Sequence, residues 1–187
     1  MRIVLLRHGK PDFAAHGKLT AREIHQWVES YNSASLVAQS KPSKQAIEIA
    51  NSCNTVVCSD LPRSIESAHV LGINKIDIID SLFREVELPH SSFPSPKLPQ
   101  SFWIVLFRVL CVFGYSSNGE SLKVAKIRAL EGVGRLVEIA KNDGAVLLVG
   151  HGFINRFIAK ELLSSGWQGP NSPGRQFWEF GVYEYVT

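Results

Sequence analysis

Short unbroken apolar runs alternate along this chain with stretches in which apolar residues recur every three or four positions. Residues 3–6 (Ile-Val-Leu-Leu), 55–58 (Thr-Val-Val-Cys) and 145–149 (Ala-Val-Leu-Leu-Val) lack polar alternation. That pattern predicts strands buried on both faces of a parallel sheet. Residues 76–79 predict a third strand in chain order, 83–88 a fourth or an extended segment, and 177–186 a last strand. Between them the helical period predicts helices. Thr20-Ala-Arg-Glu23 forms a capping box, followed by Ile24, Trp27, Val28 and Tyr31 on one face. A second helix begins near Pro42-Ser43 with Ala46, Ile47 and Ala50 inward, and a third opens at Asp60 and Pro62. Residues 102–113 read as a buried or lid-forming helix. Residues 120–141 carry a stripe of Leu122, Ala125, Ala129, Val133, Leu136, Val137 and Ala140, and a last helix holds Ile154, Phe157, Ile158 and Leu162. Segments 11–18, 89–99 and 166–174, without periodicity or rich in Gly and Pro, read as loops. Strands alternating with helices, with no repeat or linker, predict one α/β domain built as a layered sandwich around a largely parallel sheet. The last strand is free to run antiparallel at an edge.

Composition changes this picture little. The 187 residues are 45% hydrophobic and 20% charged, enough for one well-buried domain. The net charge of +3 and the lack of a Lys/Arg tract argue against nucleic acid as a partner. Three cysteines, Cys53, Cys58 and Cys111, are an odd number without a Cys-x-x-Cys, so reduced thiols of a cytoplasmic protein are expected, and no zinc site. The N-terminal apolar run is too short for a signal peptide, and 102–113, interrupted by Arg108, falls short of the roughly 20 residues of a membrane span. No membrane association is expected.

The chemistry gathers at strand ends. The first strand stops at Arg7-His8-Gly9, the second at Ser59-Asp60 with Arg63 in the next helical turn, and the strand at 145–149 at Gly150-His151. Glu85 follows the third strand. Ligands of open α/β sheets bind at the carboxyl ends of the strands, so two arginines, two histidines and a carboxyl group converge there. That set suits phosphoryl transfer without metal or other cofactor. Arginine forks match phosphate oxygens, a neutral imidazole is a nucleophile, a second one steadies the developing charge, and a carboxylic acid protonates the leaving oxygen. Gly9 is expected to turn the backbone tightly and leave the imidazole uncovered.

Arg7-His8-Gly9, Ser59-Asp-Leu-Pro-Arg63-Ser-Ile-Glu-Ser-Ala, Phe83-Arg-Glu85 and Val149-Gly-His151-Gly together resemble the histidine phosphatase superfamily, the phosphoglycerate-mutase-like group. The resemblance spans most of the chain, with its blocks in family order. It implies a three-layer αβα sandwich, a single domain over 1–187 with a lid or insertion around 87–118, and a phosphohistidine formed on His8. Arg7, Arg63 and His151 would bind phosphate and Glu85 would donate a proton. The segment after the motif, Gly9-Lys-Pro-Asp-Phe13, departs from the Gly-Glu-Thr common in the family. The implied activity is metal-independent hydrolysis of a phosphomonoester, on a small phosphorylated metabolite or a phosphoprotein. The rivals are a phosphoglycerate-type mutase and a silent phospho-ligand-binding module; oligomeric state is not legible.

Several residues keep plainer readings beside these. Glu87 shares a face with Glu85, which is preferred, and Arg84 is a candidate partner for Glu85. Arg63 is alternatively a partner of Glu66 on its own helix. Ser59 is either a turn residue or a pocket hydroxyl. Arg108 is a snorkelling side chain in preference to a third pocket cation. Asn155 and Arg156 lie one turn past His151, so that one faces the site or Asn155 caps. His16, His25, His69 and His90 have no metal spacing. Trp27, Trp103, Trp167 and Trp178 read as core, with Trp103 a possible pocket wall. The apolar helix and the Pro-rich segment before it suggest a partly greasy lid.

Overall fold

A computed structural model describes residues 1–13, 17–117 and 119–186; His16 lies outside the described residues. Its centre is a five-stranded sheet in which four strands run parallel. In spatial order these are β4 (Ile78–Ile79), β3 (Thr55–Cys58), β6 (Ala145–Gly150), β1 (Arg2–Arg7) and the antiparallel edge strand β7 (Phe180–Glu184). A separate pair joins β2 (Lys18–Leu19) to β5 (Leu98–Pro99). β1, β3 and β6 are the apolar runs of the sequence. They lie inside because alternate side chains of each feed two different cores.

On one face Ile3, Leu5, Val146 and Leu148 pack against α5 (Leu122–Asp143) and α6 (Gly152–Ser164). On the other Val4, Leu6, Leu147 and Val149 meet Ala46, Ala50 and Ala68 of α2 (Lys44–Asn51) and α3 (Pro62–Val70). The molecule is a mixed α/β fold of three layers. A third apolar cluster joins α1 (Glu23–Asn32) to α4 (Gln100–Val112) through Ile24, Leu88, Trp103 and Phe107.

Local signals explain most boundaries. Thr20 N–H donates to Glu23 Oε2 (2.7 Å) and Glu23 N–H to Thr20 Oγ1 (3.4 Å), completing the reciprocal box before α1. Ser43 and Ser121 cap α2 and α5 through Ala46 N–H and Val124 N–H. α5 stops at Gly144, whose φ of 84° only glycine takes freely. Three expectations shift. Residues 76–79 yield a strand of only Ile78–Ile79, and 83–88 form no strand but leave a 3-10 turn (Ser81–Phe83) as irregular chain. Ile47 is 37% exposed, since the sheet-facing positions of α2 are filled by Ala46 and Ala50. No helix among the described residues is long and apolar enough to cross a membrane. Cys58 and Cys111 are buried and Cys53 half-buried, all unpaired.

Register places the chemistry. Arg7 sits opposite Gly150, and Val149 opposite both Leu6 and Cys58. The residues next in sequence, His8, Ser59 and His151, therefore emerge side by side at one sheet edge. The ladder continues past the strands, with His8 N–H donating to Gly150 O (3.1 Å) and Ser59 N–H to Val149 O (3.4 Å).

Candidate active site

His8 lies at the centre of this edge and is 2% exposed, so the expectation of an uncovered imidazole fails. Its ring meets the ring of His151 at 4.9 Å and that of Phe177 at 5.6 Å. His8 Nδ1 is 2.6 Å from Gly9 O, which can only accept, so the proton sits on Nδ1. The Nε2 lone pair then accepts from Arg63 Nε (3.3 Å). Burial, with Arg63 and Arg7 nearby, drives the His8 pKa down to about 3, against the opposing pull of the Gly9 carbonyl. The imidazole is neutral.

Gly9 has another reason than a tight turn, since its φ is not in the left-handed region. A Cβ there would fall inside the indole of Trp178, which packs flat on the glycine. Gly9 N–H donates to Ser67 Oγ (2.8 Å) on α3, fixing the segment that carries His8.

The two arginines are held differently. Arg63, 1% exposed, reaches Tyr31 O (3.3 Å) and Asn32 Oδ1 (3.2 Å) through Nη1 and stacks on the Tyr31 ring at 4.8 Å. It does not pair with Glu66, whose carboxylate accepts from Leu36 N–H (2.8 Å). Arg7 bonds Arg175 O and lies over the Phe177 ring at 4.5 Å, with Nε buried and unpartnered. His151 is fully buried, which with the positive charge around it holds its pKa well below the usual 6.5. Its Nε2 is 2.6 Å from Ser59 Oγ, and its Nδ1 is buried without a partner.

Glu85 sits at the N-terminus of α6. Its Oε1 accepts from Phe153 N–H (3.0 Å), Ile154 N–H (3.2 Å) and Val86 N–H (3.0 Å), while Oε2 takes only a longer bond from Phe153 (3.2 Å). A Cβ on Gly152 would touch both Arg7 Cζ (3.5 Å) and Glu85 Oε2 (3.6 Å), which places the two groups on either side of that glycine. Arg84 pairs with Asp60 through two 2.6 Å bonds rather than with Glu85. Glu87 is exposed and lines the cavity beyond Glu85.

Two further arginines clamp the chain around Glu85. Arg128 donates to Leu82 O (2.7 Å) and Arg84 O (2.8 Å) while paired with Glu120 (2.7 Å). Arg108 donates to Val86 O (2.9 Å) and Glu87 O (3.5 Å), stacked on Phe153 at 4.4 Å. Arg108 thus lines the cavity, with its head taken up by the protein. Arg156 also lines the cavity, whereas Asn155 does not. Asn155 is 1% exposed and donates from Nδ2 to Leu6 O (3.1 Å), tying α6 beneath β1. Trp103 is buried against Leu19 O (2.7 Å) and leaves the wall to Trp27.

The structure therefore brings Arg7, His8, Ser59, Arg63, Glu85 and His151 together at one edge. Tyr31, Asn32, Arg128 and Phe177 also belong to it without having stood out in the sequence. Each is an ordinary helix or loop residue until the fold delivers it. Among the described residues no three His, Cys, Asp or Glu side chains converge as a metal site requires.

A family model of the histidine phosphatase superfamily, branch 1, matches residues 3–174. This chain belongs to that superfamily. Among curated proteins no sequence matches it. Solved structures of similar fold include the product of the open reading frame Rv3214 of Mycobacterium tuberculosis, 18% identical with a TM-score of 0.64. That match covers 99% of this chain and 91% of the other. The mycobacterial glucosyl-3-phosphoglycerate phosphatase Rv2419c is 23% identical over 87% of this chain and 79% of its own, with a TM-score of 0.56. TTHB049 from Thermus thermophilus is 18% identical over 97% and 92%, with a TM-score of 0.58. At these identities the likeness of structure is a likeness of fold, and the superfamily assignment rests on the family model.

Proposed function

We propose that this protein is a phosphatase that hydrolyses a phosphomonoester through a phosphohistidine on His8. The observation that carries the reading is the state of His8. It is neutral, with its proton fixed on Nδ1 by Gly9 O and its Nε2 lone pair turned to Arg63. A buried neutral imidazole with one nitrogen tied to a carbonyl is a nucleophile at the other.

In the first step Nε2 forms a bond to phosphorus as the bond to the leaving oxygen breaks. Arg63 exchanges its contact with Nε2 for phosphoryl oxygens, and Arg7 supplies a second guanidinium. With the Ser59 hydroxyl as donor to His151 Nε2, 2.6 Å away, that ring carries its proton on Nδ1, the polarity a phosphoryl oxygen requires. Glu85 gives a proton to the leaving oxygen from Oε2, the less engaged of its oxygens. In the second step the same carboxylate takes a proton from water, whose oxygen attacks phosphorus and frees His8 and inorganic phosphate. The two arginines and the N-terminus of α6 supply positive charge for these steps, so no metal is invoked. The Rv2419c neighbour, named as a phosphatase of a small phosphorylated metabolite, agrees with a substrate of that kind.

The test is phosphate release from p-nitrophenyl phosphate with EDTA present, for wild type and His8→Ala, with alkaline quenching to trap phosphoenzyme. Release and an acid-labile, alkali-stable phosphoenzyme in the wild type alone are expected. Turnover in His8→Ala, or its loss with EDTA, overturns the mechanism. Transfer of the phosphoryl group to a second hydroxyl in place of release would make the enzyme a mutase.

A further inference from the structure

The phosphoryl site opens into a cavity of about 630 Å³, within the range of sites that enclose a whole small ligand. It begins at Arg7, Glu85 and Gly152 and runs between α1 and α4. The α4 wall is a stripe of Val105, Val109 and Val112, at i, i+4 and i+7. These side chains are 62, 47 and 68% exposed. A helix face turned outward is ordinarily polar, and here branched hydrocarbon lines a cavity instead. Trp27 and Val28 of α1 line the same cavity.

Two of the charged side chains nearest this wall do not relieve its apolar character. The Arg84 guanidinium is paired with Asp60, and Arg108 is committed to Val86 O, Glu87 O and the Phe153 ring. That leaves Glu87 and Arg156, the latter over the Phe153 ring at 5.3 Å, as the remaining charged lining beyond Arg7 and Glu85. Asn32 Oδ1 is taken by Arg63. Along the α4 stripe a polyhydroxylated alcohol would meet hydrocarbon alone, with Glu87 and Arg156 elsewhere on the lining, and would lose hydration there without replacement. A hydrocarbon chain loses nothing and removes valine surface from water.

Building on the proposed phosphatase activity, we infer that the substrate is the phosphomonoester of a hydrocarbon-rich alcohol, its chain or ring lying along Val105, Val109 and Val112. The continuity of that stripe with Arg7 and Glu85 is what commits it to the substrate's alcohol half. α4 is then the element that sets specificity.

Ethyl and hexyl phosphate test this, because their leaving oxygens are equally basic and only the chain differs. Each methylene that is fully buried raises kcat/KM about fourfold, and a hexyl to ethyl ratio of at least about tenfold is expected. In a Val105→Asp, Val109→Asp double variant, exposed enough to fold, the ratio should fall below about threefold. p-Nitrophenyl phosphate with wild type and His8→Ala separates the two levels of the argument. Turnover through His8 with a hexyl to ethyl ratio near one overturns this inference and leaves the phosphatase standing, whereas no turnover through His8 removes both. A high ratio that survives in the double variant overturns the role of α4. Sedimentation covers the rival occupant: a wild-type dimer that the substitutions split would put a second copy of this chain on the valine stripe, and the inference falls.

Discussion

His8 and Glu85 divide the proposed reaction between a nucleophile and an acid, and single substitutions separate their roles. Glu85→Gln keeps the shape and most acceptor contacts but removes the acid. It should slow alkyl phosphates about a hundredfold and p-nitrophenyl phosphate far less, because nitrophenolate leaves without a proton. Equal losses on both would reassign the acid. Ser59 touches no substrate in this scheme and acts by orienting His151 from 2.6 Å away. Ser59→Ala should lower kcat about tenfold with little change in unfolding midpoint, and Ser59→Thr, which keeps the hydroxyl, should restore part of it. Asn155→Ala is expected to behave the other way. It leaves Leu6 O without its bond at about 1–3 kcal/mol of stability, while the kcat of the folded enzyme holds; urea unfolding beside kcat distinguishes the two residues.

Two segments without regular structure carry the chemistry, and each is made rigid by neighbours. The turn after β1 is fixed by Ser67 below and Trp178 above Gly9. Gly9→Ala pushes a methyl into the indole, so a stability loss of about 1–3 kcal/mol is expected, together with loss of activity as His8 shifts. The Glu85 segment is held by Arg128 on one side and Arg108 on the other, through four backbone carbonyls. Removing Arg128 also strands Glu120, whose side chain is 9% exposed. Arg128→Ala should therefore cost about 3 kcal/mol and lower kcat through Glu85. Urea midpoints and kcat measured on the same preparations would refute this if both were unchanged.

The whole molecule gathers two uncharged histidines and several cations in one buried place, and its stability should carry that signature. The folded protein holds the His8 pKa at about 3 and that of His151 well below 6.5. As pH falls through 6.5 the unfolded chain takes up protons there that the folded chain refuses. Stability from these groups is therefore level above about pH 7 and falls on acidification, with a slope approaching about 1.4 kcal/mol per pH unit for each histidine. Denaturant unfolding at pH 7, 6 and 5 should show this decline, and His8→Ala should flatten it by about one histidine's share. An identical slope in the variant would contradict the neutral buried state on which the nucleophile depends.

Local order was legible in the chain itself because it arises from short-range causes. The three buried strands follow from unbroken branched runs, the start of α1 from a capping box, and the ends of β1 and β6 from polar residues placed directly after apolar ones. Arg7, His8, Arg63 and His151 were visible for the same reason: each stands at or just past a strand end, and a parallel register brings such ends together. Only the tertiary structure decided the rest. Tyr31 and Asn32 meet Arg63 from a helix 31 and more residues earlier in the chain, and Phe177 closes on His8 from the far end. The clamp on Glu85 joins α4, α5 and an irregular segment that the sequence left open between a strand and an extended stretch. Asn155 and Arg156 differ by about 100° around one helix, so packing alone turned the first to Leu6 and the second to the cavity. Apolar periodicity marks α4 as a helix, but whether its valines meet core, solvent or cavity depends on what lies across from them, and that is set by the fold.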